Sequence, residues 1–84
     1  MGRSSRPKPQ KLAEKLKQIR NHLGLSQTEM LMQLKYDPDK KELRSVISAY
    51  ELAKREPTLL DLLAYARMAK VPVENLIDDQ LKLF

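Results

Sequence analysis

Eighty-four residues with no cysteine, one histidine and a formal net charge of +5 leave room for one modest hydrophobic core and not for two. Disulfides and thiolate metal sites are excluded, and a lone histidine assembles none of the usual zinc ligand sets. No apolar run approaches the ~18 to 20 residues of a membrane span, and the sequence pI near 9.6 points to polyanionic partners, nucleic acid before an anionic membrane surface.

Residues 1–10, rich in proline, serine and cations, carry no apolar residue beyond the initiator and cannot fold alone. They read as a solvated tail or as a flexible basic N-terminal arm that lies along a nucleic-acid backbone. No apolar signal core follows them, and Arg6 stands where a myristoylation pattern wants Ser or Thr. A cytoplasmic protein with no membrane attachment is expected.

Residues 11–84 are expected to form a single all-α domain of five helices. In helix 1, Leu12, Leu16, Ile19 and Leu23 recur at helical spacing, while Lys11, Glu14, Lys15, Lys17 and Arg20 fill the other faces. Gly24 supplies a left-handed cap and Leu25 the apolar contact that accompanies it. Helix 2 opens on Ser26-Gln27-Thr28-Glu29, which has capping-box spacing, and buries Met30, Leu31 and Leu34.

The charged segment Lys35 to Leu43, broken by Asp37-Pro38, reads as a loop through about Lys40, with an earlier helix start at Asp37 as the alternative. Helix 3 occupies about 43–53, with Leu43, Val46, Ile47 and Tyr50 turned inward and Arg44, Ser45, Ser48 and Ala49 turned outward. Tyr50 is expected in the core, and Glu51 in a local pair or backbone cap. Thr58 and Asp61 start helix 4, whose apolar face is Leu59, Leu62, Leu63, Ala66 and Ala69. Glu74 to about Gln80 makes a short helix 5, leaving Leu81, Leu83 and Phe84 as an apolar tail.

Several motifs fall in order: Leu25-Ser26-Gln27-x-Glu29, Ile47-Ser48-x-Tyr50-Glu51, Lys54-Arg55-Glu56-Pro57-Thr58-Leu59 and Val71-x-Val73-Glu74-x-Leu76. From Leu12 to about Ile77 this series resembles the phage-repressor and Cro-type helix-turn-helix family, often called the XRE family. The resemblance implies a compact five-helix bundle of the lambda-repressor-like type, with helices 2 and 3 as the helix-turn-helix. It further implies a transcriptional regulator without catalytic activity that binds double-stranded DNA, usually as a homodimer on an inverted repeat.

By the same resemblance Arg44, Ser45, Ser48 and Ala49 meet base edges in the major groove, with Arg44 the candidate for guanine. Gln27, Thr28, Lys40, Lys41, Lys54 and Arg55 meet phosphates. Three features depart from the family pattern: the crossing at 35–43 is several residues longer than the usual tight turn, and Ala53 and Lys70 stand where glycine caps are common. A non-glycine residue in a left-handed cap costs ~1 kcal/mol unless the turn changes shape.

A second class of function is a protein-interaction module, or an antitoxin that also represses its own promoter, with Leu81, Leu83 and Phe84 or the inserted loop holding a protein partner. The same tail and helix 5 are expected at the two-fold interface of a dimer. An enzyme is disfavoured: His22 has no evident partner, and Asp78 and Asp79 are adjacent on a helix, so their side chains diverge. No metal or cofactor is implied.

Overall fold

The computed structural model describes residues 10–84, so the expected basic arm falls outside the described residues apart from Gln10. These residues form α1 (Leu12–Leu23), α2 (Gln27–Gln33), a 3₁₀ turn (Lys41–Leu43), α3 (Val46–Glu51), α4 (Leu59–Ala69) and α5 (Glu74–Ile77). All regular structure among them is helical. None of these helices is long and apolar enough to cross a membrane.

Helix α1 is the hub, packing against α3, α4 and α5, while α2 packs on α3. Its stripe of Leu12, Leu16 and Ile19 enters one buried cluster with Met30 and Leu31 of α2, Val46, Ile47 and Tyr50 of α3, Tyr65 and Ala66 of α4, and Leu76 of α5. The starts of α2 and α4 follow the sequence signals. Ser26 Oγ accepts the Glu29 N–H at 3.1 Å while Glu29 Oε1 accepts the Ser26 N–H at 2.8 Å. That bond from the Ser26 backbone holds the Glu29 carboxyl below its ordinary pKa.

Four helix ends share one solution. Gly24, Lys35, Ala53 and Lys70 all sit in the left-handed region, with φ of 72°, 71°, 59° and 58°. In each case the next N–H reaches back to the carbonyl five residues earlier: Leu25 to Arg20, Tyr36 to Leu31, Lys54 to Ala49 and Val71 to Ala66. This is the double-bonded Schellman ending that satisfies orphan carbonyls. Ala53 and Lys70 therefore keep the turn and bear the left-handed strain, as does Lys35.

Helix α4 departs from the expected apolar face. Leu59 is 83% exposed and Leu60 78% exposed, whereas Asp61 is buried beside Leu62, Tyr65 and Ala66. The inward stripe begins at Asp61 instead of Leu59, two positions later than expected, and two tyrosine hydroxyls are bonded to the Asp61 carboxylate there. Thr58 Oγ1 still accepts the Asp61 N–H at 3.1 Å; the Asp61 side chain turns inward instead of completing a capping box.

Helix α5 stops at Ile77 rather than near Gln80, and residues 78–84 fold back along α1. Lys15, expected on the outer face, is buried: its Nζ donates to the carbonyls of Asn75, Asp78 and Leu81 at 2.7 to 2.8 Å. One ammonium thus gathers carbonyls from α5 and from the segment that follows it. Asp79 accepts the Gln10 and Lys11 N–H groups at 2.8 and 3.0 Å, which caps α1 from the far end of the chain and lowers the Asp79 pKa. Leu83 is buried in the main cluster, and Phe84 stacks on His22 with ring centroids 4.3 Å apart. Leu83 is thus part of this chain's own packing, while Leu81 and Phe84 remain exposed.

Replacing Lys35, Ala53 or Lys70 by glycine relieves a left-handed non-glycine residue and is expected to raise stability by ~1 kcal/mol each. Gly24→Ala is expected to lower it by a similar amount. Urea denaturation midpoints at constant m-value check both signs.

Candidate functional site

The residues around the α2–α3 crossing are positioned by two polar networks. In the first, Arg20 of α1 holds Glu51 at the end of α3 with a two-pronged bond, Nε to Oε2 at 2.6 Å and Nη2 to Oε1 at 3.1 Å. Its Nη1 donates to the Leu25 carbonyl at 3.0 Å, just before α2. The hydrogen bonds to Glu51 raise the Arg20 pKa above its ordinary value despite burial. Glu51 Oε1 also accepts from Gln27 Nε2 at 3.1 Å, so one carboxylate ties the start of α2 to the end of α3. Glu51 was expected to pair locally; its strongest partner is 31 residues away.

In the second network, the hydroxyls of Tyr36 and Tyr50 both donate to Asp61 Oδ2 at 2.7 Å. This fastens the head of the 35–43 segment to α3 and α4. The bond to Asp61 raises the Tyr36 pKa, and burial raises that of Tyr50. Downstream this segment has its own order. Asp37 Oδ1 accepts the Asp39 N–H at 2.9 Å, the Asp37 carbonyl accepts the Lys40 N–H at 3.2 Å, and Arg44 Nε donates to the Pro38 carbonyl at 3.2 Å.

These bonds correct the helix expected over 43–53. Leu43 ends the 3₁₀ turn, Arg44 and Ser45 form the link, and α-helical bonding begins only where the Ala49 N–H reaches the Ser45 carbonyl at 2.8 Å. At the far end, Ala53 turns left-handed directly after Leu52. The Asp37 helix start does not occur, because Asp37 caps its own tight turn. Leu43 is only half-buried against the core.

The structure brings several of the expected site residues together. Thr28 and Arg44 line one open cleft with Leu31, Pro38 and Asp39. Gln27, next to Thr28, is bonded to Glu51, and Lys54 and Arg55 follow in the turn whose N–H groups both reach the Ala49 carbonyl. Gln27, Thr28, Lys40, Lys41, Arg44, Ser45, Lys54 and Arg55 are exposed, whereas Ser48 and Ala49 are half-buried. None of Lys40, Lys41, Lys54 or Arg55 forms a side-chain salt bridge among the described residues.

A second concavity lies between the first turn of α1 and the residues after α3, lined by Leu12, Ala13, Tyr50 and residues 53–57. It brings Lys54 and Arg55 beside the N-terminal end of α1. Sequence reasoning missed Asp39 as a member of the first cleft; the signal available was its place in the 35–43 segment, between two candidate contact groups.

No family model, curated protein or solved structure matches this chain.

Two buried phenols separate the second network from simple packing. Tyr50→Phe removes one of two donors to a buried carboxylate and is expected to cost about 1 to 3 kcal/mol. Tyr65 Oη is buried with no hydrogen-bond partner among the described residues, so Tyr65→Phe is expected to be neutral or slightly stabilising. Paired chemical denaturation of the two variants checks the contrast.

Proposed function

We propose that the chain binds duplex DNA along the edge formed by α2, the inserted segment and α3, with the two helices acting as a helix-turn-helix pair of phage-repressor type. The observation that carries this reading is the Gln27–Glu51 bond together with the cleft shared by Thr28 and Arg44. These contacts support grouping polar and cationic side chains from the first turn of α2, the link before α3 and the turn after α3, in a chain with formal net charge +5. A basic edge of this kind suits a phosphate backbone, and arginine is the side chain best able to take guanine bidentately.

Arg44 and Ser45 then meet base edges from the link ahead of α3, not from within the helix. Ser48 and Ala49, lying deeper, contribute at the helix flank, where alanine offers apolar contact to a thymine methyl. Gln27, Thr28, Lys40, Lys41, Lys54 and Arg55 contact phosphates and set register without reading sequence. The protein acts as a transcriptional regulator, as a homodimer on an inverted repeat. A second reading, a protein-interaction module, draws on the exposed leucines at 52, 59 and 60, which sit beside this edge in sequence and suit an apolar partner surface.

Fluorescence anisotropy on labelled duplexes at several salt concentrations separates the two. Wild type is expected to bind with affinity falling linearly in log salt, and Lys54→Ala to reduce that slope by about 0.9. Arg44→Ala combined with Lys54→Ala is expected to lose tenfold or more in affinity for the preferred duplex. Unchanged DNA affinity in the folded double variant would transfer the assignment to the protein-interaction module.

A further inference from the structure

Asp39 is out of place on a surface that meets phosphate. Its backbone N–H is tied to Asp37 Oδ1 at 2.9 Å, yet its carboxylate is exposed and forms no hydrogen bond or ion pair among the described residues. It lines the same cleft as Thr28 and Arg44. The Arg44 Nε donates to the Pro38 carbonyl, which fixes the base of the guanidinium and leaves its two Nη groups as a donor pair. The lining of one cleft thus includes a donor fork and a bare carboxylate acceptor, on a segment anchored by Tyr36.

Phosphate repels such a carboxylate, so what suits it in a nucleic-acid complex is a hydrogen-bond donor. In the major groove a G·C pair presents guanine N7 and O6 as acceptors and the cytosine N4 amino group as a donor. The Nη groups of Arg44 match the first two and the Asp39 carboxylate matches the third. We propose that Asp39 determines sequence specificity by accepting from the amino group of the cytosine paired with the guanine that Arg44 takes. This rests on the DNA-binding reading above and makes the inserted segment a second reading element beside α3.

Selection of bound duplexes from a random pool, using the full chain, tests this. Wild type is expected to enrich a half-site with a fixed G·C pair, and Arg44→Ala to lose the guanine preference there. Asp39→Ala is expected to bind random DNA at least as well as wild type, since a negative charge is gone, while its G·C preference at that pair falls about tenfold. Asp39→Asn is expected to shift that position toward adenine, which asparagine takes bidentately. Lys40→Ala provides the contrast, weakening all duplexes alike.

The same enriched site with undiminished G·C preference in folded Asp39→Ala would overturn the role of Asp39 while leaving DNA binding intact. A wild-type selection that enriches no sequence would overturn specific DNA recognition, and this inference with it.

Discussion

The two-pronged pair between Arg20 and Glu51 is the constraint on which the arrangement of the first three helices depends. Arg20 sits late in α1, Glu51 ends α3, and the third guanidinium nitrogen reaches the chain just before α2. The Arg20 side chain is 14% exposed and that of Glu51 only 4%. Removing one partner would strand a charge in a low-dielectric setting, which is far more costly than losing an exposed ion pair. The charge is compensated by three hydrogen bonds that the guanidinium donates and by the Gln27 amide that donates to the carboxylate. The apolar cluster supplies the burial, but it is directionless; the ion pair gives α2 and α3 a defined relation at the exposed edge.

A similar division of labour recurs elsewhere. Asp61 receives two tyrosine hydroxyls and thereby fastens the 35–43 segment to α3 and α4. Lys15 gathers three carbonyls at the end of α5, and Asp79 caps α1. Each is a charged side chain that closes a terminus or a segment far away in sequence. In a chain this small, where apolar burial is limited, such bonds are expected to add order as much as energy.

What was legible in the sequence was local. Ser26 and Glu29 find each other within one turn, Gly24 ends α1, and the three-and-four spacing of Leu12, Leu16 and Ile19 marks the buried face, because each signal needs only neighbours along the chain. Periodicity assigns every charge to solvent, so it missed Lys15 and Asp61, whose partners lie on other elements. It placed Leu59 inside for the same reason, since spacing within a helix does not say where the packing partners end. The start of α3 was misread because Leu43 closes a 3₁₀ turn and Arg44 is drawn to the Pro38 carbonyl. For the candidate site, the residue types were legible, whereas the bond that joins Gln27 to Glu51 and the cleft that joins Thr28, Asp39 and Arg44 were not.

Amide chemical-shift mapping of the full chain titrated with duplex DNA tests most directly whether the edge held by Glu51 is the one that meets DNA. Saturable perturbations concentrated at Gln27, Thr28, residues 39–45, Lys54 and Arg55, with Arg67, Lys70 and residues 78–84 unmoved, are the expected result. Perturbations centred on α4, α5 or the tail, with residues 27–28 and 44–45 silent, would contradict it.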